Sequence, residues 1–175
     1  MSKYIITGGP GAGKTSLLKG LQQCGYHAYA EASRQLIIEE KERASTCLPW
    51  INLPCFAKKV LQRMTRDVAT ATHTEDIFFD RGIPDIIAYL QAAGLPVEED
   101  YHAAAKRCRY ADTVFLLPPW QEIYIQDSER WQTFEEAVLL DKHIRSAYRQ
   151  ENYQIVELPR STIQERIRFI QKQLQ

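Results

Sequence analysis

The sequence has no excess charge of either sign: 22 Lys and Arg stand against 22 Asp and Glu in 175 residues. That balance argues against an extended surface for coating nucleic acid. No apolar run approaches the length of a bilayer span, and the chain opens directly on a strand-like segment with no basic leader or cleavage site. The expectation is a cytoplasmic chain without a transmembrane segment. The four cysteines, Cys24, Cys47, Cys55 and Cys108, include no C-x-x-C pair and no neighbouring His at ligand spacing. They read as reduced thiols rather than zinc ligands. Internal repeats, low-complexity tracts and interdomain linkers are also missing. Residues 1–175 therefore read as one domain, long enough to bury a core without disulfide support.

What is present is concentrated near the start. Gly8, Gly9, Pro10, Gly11, Ala12, Gly13, Lys14 and Thr15 follow the apolar run Tyr4-Ile5-Ile6 and lead into Ser16-Leu17-Leu18. Gly8, Gly13, Lys14 and Thr15 fit the pattern G-x-x-x-x-G-K-[ST], in the strand, loop and helix order it requires. Without side chains, successive N–H groups can turn inward as an anion nest at the positive end of the following helix. Gly8 through Ser16 are thus the predicted nucleotide-binding residues. Lys14 would reach the β- and γ-phosphates, and the Thr15 hydroxyl would ligate magnesium.

Apolar runs at 4–7, 26–30, 77–79, 112–117 and 153–158 predict five strands, alternating with helical patterns at 15–23, 32–43, 84–93, 98–109 and 134–149. A last helix follows the capping box Thr162…Glu165, and Phe56, Val60, Leu61, Met64 and Val68 recur at helical spacing as core. This is a three-layer α/β pattern with a parallel sheet. The segment 45–54 holds Pro49 and Pro54 and predicts a loop or short mobile helix over the site. Glu39, Glu40, Lys41 and Glu42 read as a solvated helix face. Arg63 and Arg66 lie close to the stripe of Phe56 to Val68, where either could face a substrate, although solvent exposure is the commoner case.

Ligands of open parallel sheets bind beyond the carboxyl ends of the strands. Four features share that edge: the phosphate loop, Glu31 after the second strand, Asp80 and Arg81 after the third, and a lid at 118–133 after the fourth. The lid carries Tyr124, Asp127, Glu129, Arg130 and Trp131. Asp80 occupies the position where a carboxylate meets magnesium or its water. Arg81 and Arg130 are placed to offset phosphate charge, and Glu31 to deprotonate an attacking hydroxyl. The competing readings are a structural salt bridge for Arg81 and a helix N-terminal acid for Glu31. Trp50, Phe56 and Tyr89 are candidate stacking surfaces for an acceptor.

The phosphate loop, Glu31-Ala32-Ser33-Arg34, Asp80-Arg81-Gly82-Ile83-Pro84-Asp85, and Tyr124-x-x-Asp127-x-x-Arg130 before Phe134-Glu135-Glu136-Ala137 resemble a family of AAA-labelled P-loop ATPases. That family is similar to the nicotinamide riboside kinase domain of the bacterial NAD regulator and to the GTP-binding domain of a TRP-channel trafficking protein. It is similar, more distantly, to deoxynucleoside kinases. The resemblance spans nearly the whole chain and implies a 2-3-1-4-5 strand order, a mobile lid, Glu31 as base, and a loop at 158–161 in which Pro159 borders the adenine. The expectation is ATP- and magnesium-dependent phosphoryl transfer to a small hydroxyl-bearing acceptor of nucleoside or riboside type. The alternative is a nucleotide-binding switch or slow NTPase acting through a protein or lipid partner. ATP is favoured over GTP. No Asn-Lys-x-Asp guanine reader is present, since Asp141-Lys142 lacks the preceding Asn.

Overall fold

The computed structural model describes residues 2–72, 75–124 and 133–174. Strand β1 is Lys3–Thr7, and Ile5 and Ile6 are fully buried on its opposite faces, as a central strand requires. It is followed by helix α1 (Lys14–Gln23), strand β2 (His27–Tyr29), helices α2 (Ala32–Glu42) and α3 (Leu53–Thr70), and strand β3 (Ile77–Asp80). Helices α4 (Ile83–Ala92) and α5 (Glu99–Arg107) lead to strand β4 (Thr113–Leu116) and a short 3-10 turn, Gln121–Ile123. Helix α6 (Phe134–Gln150), strand β5 (Gln154–Glu157) and helix α7 (Ile163–Gln173) complete the order.

The strands form one parallel sheet in the order β2-β3-β1-β4-β5. This is the order the resemblance implies. Alternate side chains feed two cores. Ile5, Phe79, Val114 and Leu116 pack against α3, α4, α5 and α6, whereas Ile6, Phe78 and Phe115 pack against Leu17 and Leu21 of α1 and Ile167 and Ile170 of α7. The register pairs Ile6 with Asp80, Thr7 with Leu116 and Tyr29 with Phe79. The residues after Thr7, Tyr29 and Phe79 therefore emerge side by side. Reciprocal capping boxes, Thr133 with Glu136 and Thr162 with Glu165, fix the starts of α6 and α7.

Several expectations are corrected. Cys47 and Cys55, read as reduced thiols, are joined in a disulfide across a Cα separation of 5.4 Å. A turn in which the Leu48 carbonyl accepts from the Ile51 and Asn52 amides folds Cys47 back onto the start of α3. That approach is invisible to a search for C-x-x-C spacing. Helix α3 begins ahead of Phe56 because the Asn52 side chain accepts from the Cys55 amide at 3.0 Å and Pro54 sits in the first turn. Glu40 is not solvated: it is fully buried and takes a 2.6 Å bond from the Lys59 ammonium. Arg63 is half-buried and donates to Glu39 at 2.9 Å. Among the described residues, no helix is long and apolar enough to cross a membrane.

Candidate active site

The phosphate loop leaves β1 in backbone conformations that side chains would obstruct. Gly8 has a φ of +139°, and a Cβ there would lie 2.4 Å from the Leu117 carbonyl oxygen. At Gly11, φ is +75° and a Cβ would strike the Tyr124 ring at 2.6 Å. Helix α1 starts at Lys14 with no side-chain cap, so its first amides remain available to an anion. The buried Lys14 ammonium donates to the carbonyls of Gly8 and Gly9, each at 2.9 Å. Burial, with repulsion from Arg81 second, brings its pKa down to about 8. Thr15 and Ser16 are exposed beside it.

Across from the loop, side chains form a wall. Asp80 ends β3 with only 5% of its surface exposed, and its Oδ1 has no hydrogen-bond partner among the described residues. Burial pushes its carboxyl up to about 6 against the pull of Lys14. Arg81 adopts a left-handed φ of +74° and turns its guanidinium inward. It donates from Nε to Glu31 at 3.1 Å, and from one terminal nitrogen to Asp85 and to the Gly8 carbonyl at 3.2 Å each. The Tyr89 ring lies 5.3 Å from it. Asp85 also accepts from the Thr7 hydroxyl at 2.7 Å, the Gly82 amide at 2.9 Å and the Tyr148 hydroxyl at 2.5 Å. A buried carboxylate satisfied this fully holds Arg81 in one orientation.

Glu31 occupies the N-cap position of α2 but makes no side-chain cap bond. Its carboxylate instead accepts from Arg81, from Ser33 at 2.5 Å, and pairs with Arg34 at 3.4 Å. Burial alone would raise its pKa, but Arg81 and then Lys14 overcome that and hold it at about 2. The carboxylate is therefore ionised across the whole neutral range.

The remaining predicted residues divide. Tyr89 stands beside Arg81, but Phe56 is buried in the core and Trp50 is 47% exposed, 5.2 Å from the Lys41 ammonium. Arg130, Asp127, Glu129 and Trp131 lie outside the described residues. The Pro159 carbonyl accepts from Arg166 at 2.9 Å, and the same guanidinium reaches the Ala12 carbonyl at 3.3 Å. Sequence reasoning gave no role to Arg166, Thr7, Asp85 or Tyr148. Asp85 carried a signal, being three residues after Gly82 at a helix start, but Arg166 beside the capping Glu165 looks like an ordinary surface charge. The donor set fits a magnesium-bound polyphosphate: the first amides of α1 carry no side-chain cap, and Asp80 keeps a buried oxygen with no hydrogen-bond partner among the described residues.

Three solved structures share this fold over their length. Deoxyadenosine kinase from M. mycoides is 18% identical, with 98% of each chain covered and a TM-score of 0.69. Thymidylate kinase from Ehrlichia chaffeensis is 12% identical over 99% of this chain and 98% of that one, with a TM-score of 0.70. Thymidylate kinase from Candida albicans is 14% identical over 99% and 90%, with a TM-score of 0.68. At such identities the likeness is one of fold. No curated protein matches the sequence. The sequence model of the family described as AAA domain matches residues 3–166, from β1 into α7, and the chain belongs to that family.

Proposed function

We propose that the protein is a cytoplasmic ATP- and magnesium-dependent kinase whose acceptor is a hydroxyl group of nucleoside or riboside type. The observation that carries this reading is the Arg81 guanidinium, which bonds both the Glu31 carboxylate and the Gly8 carbonyl of the phosphate loop. One rigid group thereby sets an acceptor-orienting carboxylate at a fixed position relative to the phosphates. Transfer needs little from the protein beyond such positioning and charge compensation. Among the fold neighbours, the deoxyadenosine kinase supports a nucleoside acceptor, whereas a thymidylate already carries a phosphate, so the two thymidylate kinases support phosphoryl transfer on this fold rather than a hydroxyl acceptor.

In this reading Lys14 exchanges the Gly8 and Gly9 carbonyls for phosphate oxygens, and the amides of residues 11–16 hold the rest of the polyphosphate. Thr15 and Asp80 would hold magnesium, which draws charge from the phosphate oxygens. Glu31 accepts the hydrogen bond of the acceptor hydroxyl and aims its oxygen in line with the γ-phosphorus. The new O–P bond forms as the bond to the β-phosphate oxygen breaks, ADP leaves, and the hydroxyl proton passes by Glu31 to water. A carboxylate as acidic as Glu31 contributes orientation more than proton affinity. Arg130, by its place in the chain, is assigned to the transferring phosphoryl group, and Pro159 to the border of the adenine.

The test is ADP release from magnesium-ATP with and without a panel of nucleosides and ribosides, nicotinamide riboside among them. A kinase shows at least about tenfold stimulation by one class of acceptor, with a phosphorylated product. Tight ATP binding with a flat panel would contradict this reading and favour the nucleotide switch with a protein or lipid partner.

A further inference from the structure

Arg166 is 1% exposed, yet no carboxylate among the described residues pairs with it. Two of its nitrogens serve the backbone: Nε donates to Pro159 and one terminal nitrogen to Ala12. The other terminal nitrogen, Nη2, is buried without a hydrogen-bond partner among the described residues. A tie between the phosphate loop and the β5–α7 turn is complete with the first two bonds. The third nitrogen and the uncompensated charge are not explained by it, and buried polar groups are ordinarily satisfied. On its remaining side the guanidinium meets an aromatic ring, with its Cζ 5.0 Å from the centroid of Trp120.

Trp120 is itself pinned in place. Arg160 of the same turn donates to the Pro119 carbonyl at 3.0 Å, so the segment before the indole is fixed while the ring stays half-buried. One guanidinium's width separates that ring from Ala12 and Gly13 of the phosphate loop. We propose that the indole of Trp120, backed by Arg166, is the surface on which the base of the donor nucleotide stacks. The proposal rests on the nucleotide site described above. A cation under one face of an indole is attracted to its π system, and the opposite face can then stack a base regardless of its identity. Trp120 is the platform, and Arg166 is a positioning residue that acts through it.

The experiment compares two ligands that share phosphates but differ in the base: magnesium-ATP and magnesium-tripolyphosphate, titrated calorimetrically. In Trp120→Leu the affinity for ATP falls roughly tenfold or more, while that for tripolyphosphate stays within about twofold. Trp120→Tyr restores most of the difference, and Arg166→Met reduces ATP binding relative to tripolyphosphate in the same direction. A second readout leaves Trp120 and Arg166 unchanged. With Trp50→Phe and Trp131→Phe leaving Trp120 as the sole tryptophan, ATP quenches its emission and tripolyphosphate does not. Equal losses for both ligands in Trp120→Leu, or equal emission changes, would overturn the platform while leaving the phosphate loop standing. A parent protein that binds neither ligand would overturn the nucleotide site and the platform together.

Discussion

The phosphate loop presents backbone: Gly8, Gly11 and Gly13 at positive φ, open helix amides and one buried ammonium. The wall facing it presents side chains drawn from four separate elements, with Glu31 at the start of α2, Arg81 after β3, Asp85 in α4 and Tyr148 in α6. A backbone site is local and depends on a few residues having no side chain. A side-chain wall depends on sheet register and helix packing to bring charges together, and each member is held by the others. The two regions should therefore break differently, the loop losing function with little loss of fold, and the wall losing both.

The largest effect is expected in the wall. Asp85→Ala removes one of the two carboxylates paired with Arg81 and leaves Thr7, Gly82 and Tyr148 without an acceptor, so stability falls by about 3–5 kcal/mol in urea unfolding. A loss under 1 kcal/mol would mean that the network is not holding the fold. In the loop, Lys14→Ala lowers transfer by roughly 10²–10³-fold with an unfolding midpoint close to that of the parent. Equal ATP affinity in parent and variant, measured by equilibrium titration, would remove Lys14 from phosphate binding.

The disulfide provides a third region for contrast. Cys47 and Cys55 stand 8 positions apart, so their reduction, or Cys47→Ser with Cys55→Ser, is expected to cost about 2 kcal/mol of stability. ATP affinity should not change, because the hydrogen bonds of the two cysteine amides run to Ser45 and Asn52 and not to the loop or the wall. Coupled loss of both would join this region to the site.

A pH dependence tests the pairing of Glu31 with Arg81 inside the wall. The Glu31 carboxyl is held at about 2 against an ordinary 4.5. Its contribution to stability is therefore fully present above about 4.5 and is lost as pH falls towards about 2. The stability difference between parent and Glu31→Gln should shrink across that window. A constant difference would show that Arg81 does not perturb Glu31.

The loop was legible because its constraint is written residue by residue. Gly8 must avoid the Leu117 carbonyl, and only glycine does so. The five strands were legible from apolar runs, and their edge placed Glu31, Asp80 and Arg81 together. The depth of the wall was not legible. Nothing local to Tyr148, on the buried stripe of an amphipathic helix, says that its hydroxyl meets a carboxylate 63 positions away. Arg166 was hidden for the same reason: its burial exists only once α7 lies on α1 and the β5–α7 turn closes over Ala12. Glu40 sat in a charged run and was read as solvated, yet α3 brings Lys59 onto it. Charge tells which groups need partners, and packing alone decides whether water or protein supplies them.

The central claim is that Glu31, fixed by Arg81 to the phosphate loop, orients an acceptor for transfer. Its most direct test is product formation by Glu31→Gln at saturating magnesium-ATP, alongside the ATP dissociation constant of the same protein. The account predicts unchanged ATP affinity and transfer reduced by about 10²-fold or more. Transfer at the parent rate by a folded, ATP-binding Glu31→Gln would contradict it.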